Sequence, residues 1–472
     1  MRVPIPIVGP SYESRERRLS AQVTKNLYPS LDPEAKSVVS LHAFPGLKSF
    51  ATTTGVDRGM HVANGVLYKV SGTTLYSINS AGTATSRGTI VGTARCDFTN
   101  DADTLVIVTG STAYTYTIAT ATLAAITDTD LSNPTTVGYL NTFFIYDHAG
   151  EQGQFVTSQV SDPDNIDALD FAQAESHPDD ILRIIVYDQQ VYFFGSDTIE
   201  PWWNSGVGNP PFDRVQGGVR PYGLAAPWAA SQYEDEIFFL DNNRQPQRMI
   251  GLQVQPIGNN ALGKEWNSYS TVADVEAMAY QLDQQTFFQL NFPTANRSWC
   301  YHQPSNTWFQ LSDGVDNDRH RGSSYAFVYG KHLMADHSNG KVYELDFDTY
   351  QDNSNVIQRQ RTTAAIHGGL YGAPGQQLYF DRVEFDMEVG VGINTGQGSD
   401  PELMVRYSDD GGFTWSAEEK HKLGAGGDYL RKVILPDQGN SDQRIYELTY
   451  SDPTSFAILG GWADISLGEG PP

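Results

Sequence analysis

Residues 66–78 read VLYKVSGTTLYSI. Two short runs rich in β-branched and aromatic residues flank Ser71-Gly72, which is the signature of a β-hairpin. The device returns along the chain. LVIV (105–108) meets AYTYTI (113–118) across Thr109-Gly110-Ser111, and VYFF (191–194) meets TIEPWW (198–203) across Gly195-Ser196-Asp197. LMADH (333–337) meets KVYEL (341–345) across Asn339-Gly340, a pair suited to the two positive φ values of a type I′ loop. A less regular unit joins 287–292 to 299–301. The apolar strand starts are Val66, Leu105, Phe143, Val191, Ile237, Phe287 and Leu333, at steps of 39, 38, 48, 46, 50 and 46 residues. Units of roughly 40–50 residues carrying paired strands are blades of a β-propeller. One blade cannot bury both of its faces, so neighbours pack and the ring closes. The expected fold is all-β, with a propeller of about seven blades over residues 51–358.

Outside that span the pattern changes. Residues 1–50 hold prolines at 4, 6, 10, 29, 33 and 45, which break long elements. They are expected to form an N-terminal arm, with one short helix between Ser11 and Asn26. Residues 161–181 are acidic and proline-punctuated, and read as a long inter-strand loop with a helical turn at 166–174. Beyond Asp352 the strands lengthen. Val383, Phe385, Met387 and Val389 alternate with Glu384, Asp386 and Glu388, as in a strand with one buried and one wet face. Residues 359–472 are therefore expected to form a C-terminal β-sandwich.

Composition limits function. The 472 residues are only 18% charged, against about 25% in an average soluble protein, and include 44 glycines and 24 prolines. Such a chain suits turn-rich β structure. Net charge is −25, the reverse of a surface built to grip phosphates. Residues 1–36 stand apart at +2, leaving −27 on the remainder. Two cysteines, Cys96 and Cys300, make no disulfide framework. The start, MRVPIPIVGP, does not read as a signal peptide. No apolar run approaches the ~18 residues of a membrane span, so no stable membrane insertion is expected.

Candidate chemistry is sparse. Ser408-Asp409-Asp410-Gly411-Gly412-Phe413-Thr414-Trp415 resembles the Asp-box of sialidases and related propellers. On that resemblance Ser408 starts the turn, Asp410 bonds backbone amides, Gly412 takes a positive φ, and Thr414 and Trp415 complete a hairpin staple remote from any active site. Sialidase chemistry also requires an arginine cluster, a tyrosine nucleophile and an acid partner, and no spacing here marks that set. The acids Asp179-Asp180, Asp162/Asp164/Asp167 and Asp346/Asp348/Asp352 read as solvated loop residues; they lack the glycine and bidentate glutamate of a calcium loop. His320 sits between Arg319 and Arg321, a poor setting for a metal. No H-E-x-x-H, G-x-S-x-G or Walker sequence occurs. Trp202-Trp203 reads as packing between blades. No catalytic residue, metal or cofactor is expected.

Several stretches resemble the packaged-DNA-stabilising tail proteins of short-tailed bacteriophages, the tail accessory factor or nozzle of the P22 type. They are Asn26-Leu27-Tyr28-Pro29, FPGLKSF (44–50), RGMHVANGVLYKVSGTTLYSI (58–78), ALDFAQAESHPDDI (168–181), VYFFGSDTIEPWWNSG (191–206), FDRVEFDMEVGVG (380–392) and RYSDDGGFTWS (406–416). The resemblance implies a non-enzymatic virion tail protein, folded in the host cytoplasm, forming a homo-hexameric ring below the portal. It implies a portal or adaptor ring above, a tail needle or plug and tailspikes or fibres as further partners, and genomic DNA passing through and being retained. Arg15, Arg17 and Arg18 become candidates for subunit docking. An acidic lumen would repel DNA and leave it free to slide, so no tight DNA binding is expected. The alternatives are a receptor- or glycan-binding tail propeller using Trp202 and Trp203, and a sialidase-like glycosidase.

Overall fold

All seven apolar starts lie in the second strand of a four-stranded antiparallel blade. The computed structural model describes residues 1–148, 150–174, 179–314 and 318–468. Within them, six consecutive four-stranded meanders run from Asp57–Ala63 to Thr307–Leu311. A seventh sheet is composite. Gly322–Val328, Lys331–Asp336 and Lys341–Asp346 supply three strands, and Gly46–Thr52 from the start of the chain supplies the fourth. The innermost strands of blades one and seven, Asp57–Ala63 and Gly322–Val328, lie side by side and close the ring. Second strands were legible because they are covered on both faces by adjacent blades, so they run apolar throughout. Val106, Ile107, Phe144, Ile145, Phe193 and Phe238 are all buried.

Blade seven holds the seam. Thr53 N donates to Gly340 O at 2.8 Å. The buried Lys69 ammonium donates to Thr53 Oγ1 (3.3 Å) and Gly340 O (3.2 Å), with Asp57 at 4.0 Å. Asp57 in turn accepts from the Ser323 and Ser324 hydroxyls at 2.9 and 2.7 Å. The expected type I′ loop is absent here: neither Asn339 nor Gly340 has a positive φ. Instead the Asp336 carboxylate accepts from Ser338 N (2.8 Å) and Asn339 Nδ2 (2.9 Å) and shapes the turn. Glycine is needed at 340 for close approach, since a Cβ there would lie 1.8 Å from Thr53 O.

Carboxylates organise turns in other blades too. Asp147 accepts from Thr135 N and Thr136 N at 2.7 and 2.8 Å, and Asp241 accepts from Asn243 N and Gln245 N at 2.9 and 2.8 Å. In blade four the corresponding position is Gly195, and Asp179 reaches into the space. It accepts from the amides of Ser196, Asp197 and Thr198 at 2.6, 2.9 and 2.8 Å. A Cβ on Gly195 would sit 2.2 Å from its Oδ2. Asp179 is thus buried rather than a solvated loop acid. Asp352 is buried as well.

Two expected helical pieces are strands. The segment from Ser11 to Asn26 forms a hairpin, Tyr12–Glu13 against Ala21–Lys25, and the latter pairs with Arg359–Thr362. The deciding contact is tertiary. The fully buried Arg361 guanidinium donates to Pro10 O (2.9 Å), Thr24 Oγ1 (2.8 Å) and Gln22 Oε1 (2.7 Å), and also to Ile7 O. Likewise 166–174 lies largely in the strand Asp162–Gln173, paired with Gln154–Gln159 through a bulge. Residues 175–178 of the expected loop lie outside the described residues. The α-helix among the described residues is Asn260–Ser268, capped by Asn259.

Residues 1–50 do not stand free of the chain. Arg2–Pro4 pairs with Ala457–Leu467, and Leu27–Leu31 and Val39–Ala43 extend the same sheet, which continues through Leu378–Met387 to Val433–Pro436. The facing sheet runs Ala21–Lys25, Arg359–Thr362, Gln443–Tyr450, Glu402–Ser408, Glu419–Lys422. Val383, Phe385, Val405, Leu448 and Ile465 fill the space between the two sheets. One parallel bridge, Lys25 to Gln310, links this second sheet to the outer strand of blade six. Asn26, at φ 53°, sits beside it. Its amide donates to Ser312 O (3.1 Å), Ser312 Oγ (3.0 Å) and Gln358 O (2.8 Å) and accepts from Ser312 N (2.9 Å). A single buried side chain therefore ties propeller, linker and sandwich together.

Candidate functional surfaces

The loop after Glu402–Ser408 is a dense staple. Ser408 Oγ donates to Asp410 Oδ1 at 2.7 Å and accepts from Gly412 N at 2.9 Å. Asp410 also accepts from Phe413 N and Thr414 N, both at 2.9 Å, and from Thr414 Oγ1 at 2.6 Å. The Thr414 hydroxyl and amide hold its carboxyl well below the usual carboxylate range. Gly411 and Gly412 take φ values of 85° and 90°, open to glycine at little cost. Arg406 stacks over Trp415 at 4.8 Å and pairs with Glu447. The loop packs against the N-terminal hairpin: a Cβ on Gly411 would meet Arg18 Cα at 3.0 Å.

That hairpin turns through residues 14–20. Arg15, Arg17, Arg18 and Leu19 are exposed at its tip, and Leu19 keeps 78% of its surface. Arg17 pairs with Glu13 at 3.1 Å. Lys264, from the helix Asn260–Ser268, donates to Ser14 O at 3.1 Å, so a further cation joins the tip. Behind it lies an interdomain groove of about 520 Å³, where Arg17, Lys25, Arg406, Gly412 and Trp415 converge. Burial, then the neighbouring Arg297, holds the Lys25 ammonium down to about 8. Three of the residues singled out in the sequence (Arg17, Gly412 and Trp415) therefore line one groove.

The propeller axis is a second cavity, about 590 Å³, lined by inner strands of the blades. Arg95 and Arg183 stack on Trp228 at 5.0 and 4.3 Å from the ring centroid. Arg95 pairs with Glu276 at 2.8 Å and Arg183 with Asp97 at 2.9 Å. A seven-residue strand such as Glu276–Leu282 spans roughly 23 Å at about 3.3 Å per residue.

Trp202 and Trp203 do not form one platform. Strand alternation buries Trp202, with Arg214 over its ring at 5.5 Å, and leaves Trp203 46% exposed. His320 is buried, and burial lowers it to about 4. Both cysteines are buried thiols; burial pushes Cys96 up to about 12. Among the described residues no three His, Cys, Asp or Glu side chains gather as a metal site, and no helix is long and apolar enough to cross a membrane.

One feature was missed at the sequence level. Between Arg95 and Arg183 the chain contains no lysine or arginine, yet it has 14 acidic residues. The stretch spans blades two and three. A windowed charge count would have found it; residue-by-residue inspection of acid pairs did not.

Comparison with known proteins follows the two-part architecture. A family model described as the β-propeller of bacteriophage P22 Gp10 matches residues 1–350, and one described as the β-sandwich of the same protein matches residues 366–466. The tail hub protein gp10 of Salmonella phage P22 is 22% identical over 394 residues, covering 79% of each chain. Among solved structures, the computationally designed Ika8 protein aligns with a TM-score of 0.41 at 8% identity, over 64% of this chain and 99% of its own.

Proposed function

Because the chain belongs to the bacteriophage P22 Gp10 family, we propose that it is a structural protein of a phage tail, a hub or nozzle subunit with no catalytic role. Several copies, six by the sequence resemblance, form a ring below the portal or its adaptor and meet the tail needle and the tailspikes or fibres. The ring holds the packaged genome and guides its exit. The observation that carries this reading is the pair of family matches running end to end through both domains. In this reading the conduit lies between subunits, with each propeller serving as a wall block.

Charge supports a passive wall. Duplex DNA carries one phosphate charge per ~1.7 Å of axis. A basic lumen would condense on it and brake ejection, whereas a chain of net charge −25 leaves the strand free to slide. The decisive experiment is a phage lacking this gene. Heads that fill and then leak DNA, with the ring missing from the portal axis in electron micrographs, are expected. Stable full heads that merely fail to adsorb would sink the reading and favour a receptor-binding propeller.

A further inference from the structure

The charge of this molecule is polarised across the propeller. Blade six carries the seam to the sandwich through the Lys25–Gln310 bridge, and the hairpin tip bearing Arg15, Arg17 and Arg18 stands over the helix Asn260–Ser268 that precedes that blade. In a seven-blade ring, the boundary between blades two and three lies half a turn from blade six. That opposite sector is the stretch without a lysine or arginine. The cationic tip and the acidic sector therefore face away from each other on one subunit.

The acidic sector also presents a long outer strand. Asp162–Gln173 is the outermost strand of blade three and, at 12 residues, is longer than any other blade strand. Its pairing with Gln154–Gln159 shifts register twice and it carries Pro163, so it offers no continuous backbone ladder to another chain; what it presents outward is side chains. Here the edge exposes Asp162, Asp164 and Asp167 together with Leu169 (73%) and Phe171 (41%), and Val160 just before it is 61% exposed. The tip across the molecule offers the complement: Arg15, Arg17 (paired with Glu13) and Arg18, with Lys264 beside them, outweigh Glu13 and the exposed Glu16, and they sit with exposed Leu19 and, on the adjoining loop, Phe413 at 60%.

Building on the ring reading above, the geometry points to a head-to-tail contact between copies of this chain. The Arg15/Arg17/Arg18 tip of one subunit docks on the Asp162–Gln173 edge of the next. Two complementary patches on opposite sides form a heterologous interface, which closes into a ring when the rotation per subunit divides a full turn. Opposite charge at the rim sets register and speeds encounter, while Leu19 and Phe413 meet Leu169 and Phe171 in the drier centre. The same arrangement discourages wrong pairings, since tip against tip and edge against edge both repel.

Charge reversal tests the pairing. Arg15→Glu/Arg17→Glu/Arg18→Glu alone, and Asp162→Lys/Asp164→Lys/Asp167→Lys alone, are each expected to abolish incorporation into tails while circular dichroism stays unchanged. Both sets in one chain should restore it. Particles carrying Arg18→Cys together with Leu169→Cys should give a covalent ladder on oxidation, and neither single cysteine should. Normal incorporation of both triple variants, or assembled particles without a ladder, would overturn the pairing and leave the ring intact. If wild-type particles treated with an amine-reactive cross-linker yield only monomer, the ring reading itself fails.

Discussion

Asp352 offers a sharp test of how the two domains are joined. It lies in the short strand Gln351–Asp352, opposite Leu47, where the chain leaves the propeller for the sandwich. Its side chain is buried, and burial, reinforced by Asp313, raises its carboxyl to about 7 against the pull of Arg321 and Arg359. A carboxyl whose folded pKa lies above its unfolded value near 3.9 stabilises the fold below about pH 4. That contribution is lost as pH rises through 7. A separation of about three pH units, at about 1.4 kcal/mol for each, gives roughly 4 kcal/mol of lost stability by pH 8, an upper figure. Asp352→Asn removes the titration and keeps the shape. The variant should therefore match the wild type near pH 4 and exceed it progressively above, by about 2–4 kcal/mol at pH 8. Urea unfolding followed by tryptophan fluorescence at several values between pH 5.5 and 8 measures this. Because the comparison is between variant and wild type, titrating groups that do not interact with Asp352 cancel. A difference that stays flat with pH, or a variant weaker at pH 8 than at pH 5.5 relative to wild type, refutes the reasoning.

Three further perturbations probe the scaffold. Asn26→Ala leaves Ser312 N and the Gln358 carbonyl without their buried partner and places alanine at φ 53°. A cost of roughly 3 kcal/mol is expected, and calorimetry should show propeller and sandwich melting separately. Lys69→Met strips the blade-one-to-seven seam of its ammonium and leaves Asp57 buried without it. About 3 kcal/mol should be lost, with protease sensitivity appearing at the 337–340 turn. Asp179→Ala removes the acceptor for three amides in blade four. Hydrogen exchange should accelerate at residues 196–198 while other blades keep their protection.

Local signals served well where a strand's surroundings resemble its neighbours'. The second strand of each blade meets the same environment seven times, so Val66, Leu105, Phe143, Val191, Ile237, Phe287 and Leu333 announce themselves by apolarity and spacing. Within the loop 408–415 the hydrogen bonds of Ser408 and Asp410 span at most four residues, whereas Asp409 reaches Arg444 35 residues on. Signals failed where the partner is distant. Ser11 to Asn26 reads as one short helix started near Ser11 or Ser14, yet Ala21–Lys25 is held as a strand by Arg359–Thr362, more than 300 residues away. Asn339-Gly340 suggested φ freedom, but the glycine answers to Thr53 across the ring seam.

The sequence alone determined the all-β class, the repeating blade unit, the change of pattern after Asp352 and the family resemblance. All of these are encoded by contacts between residues close in the chain or by composition. Tertiary structure alone decided that residues 1–50 stitch both domains together, that Asp179 and Asp352 are buried, and that the cationic tip stands half a turn from the acidic blades. Those features come from pairings between remote segments, and a linear pattern carries no record of which distant strand will supply the missing backbone partners.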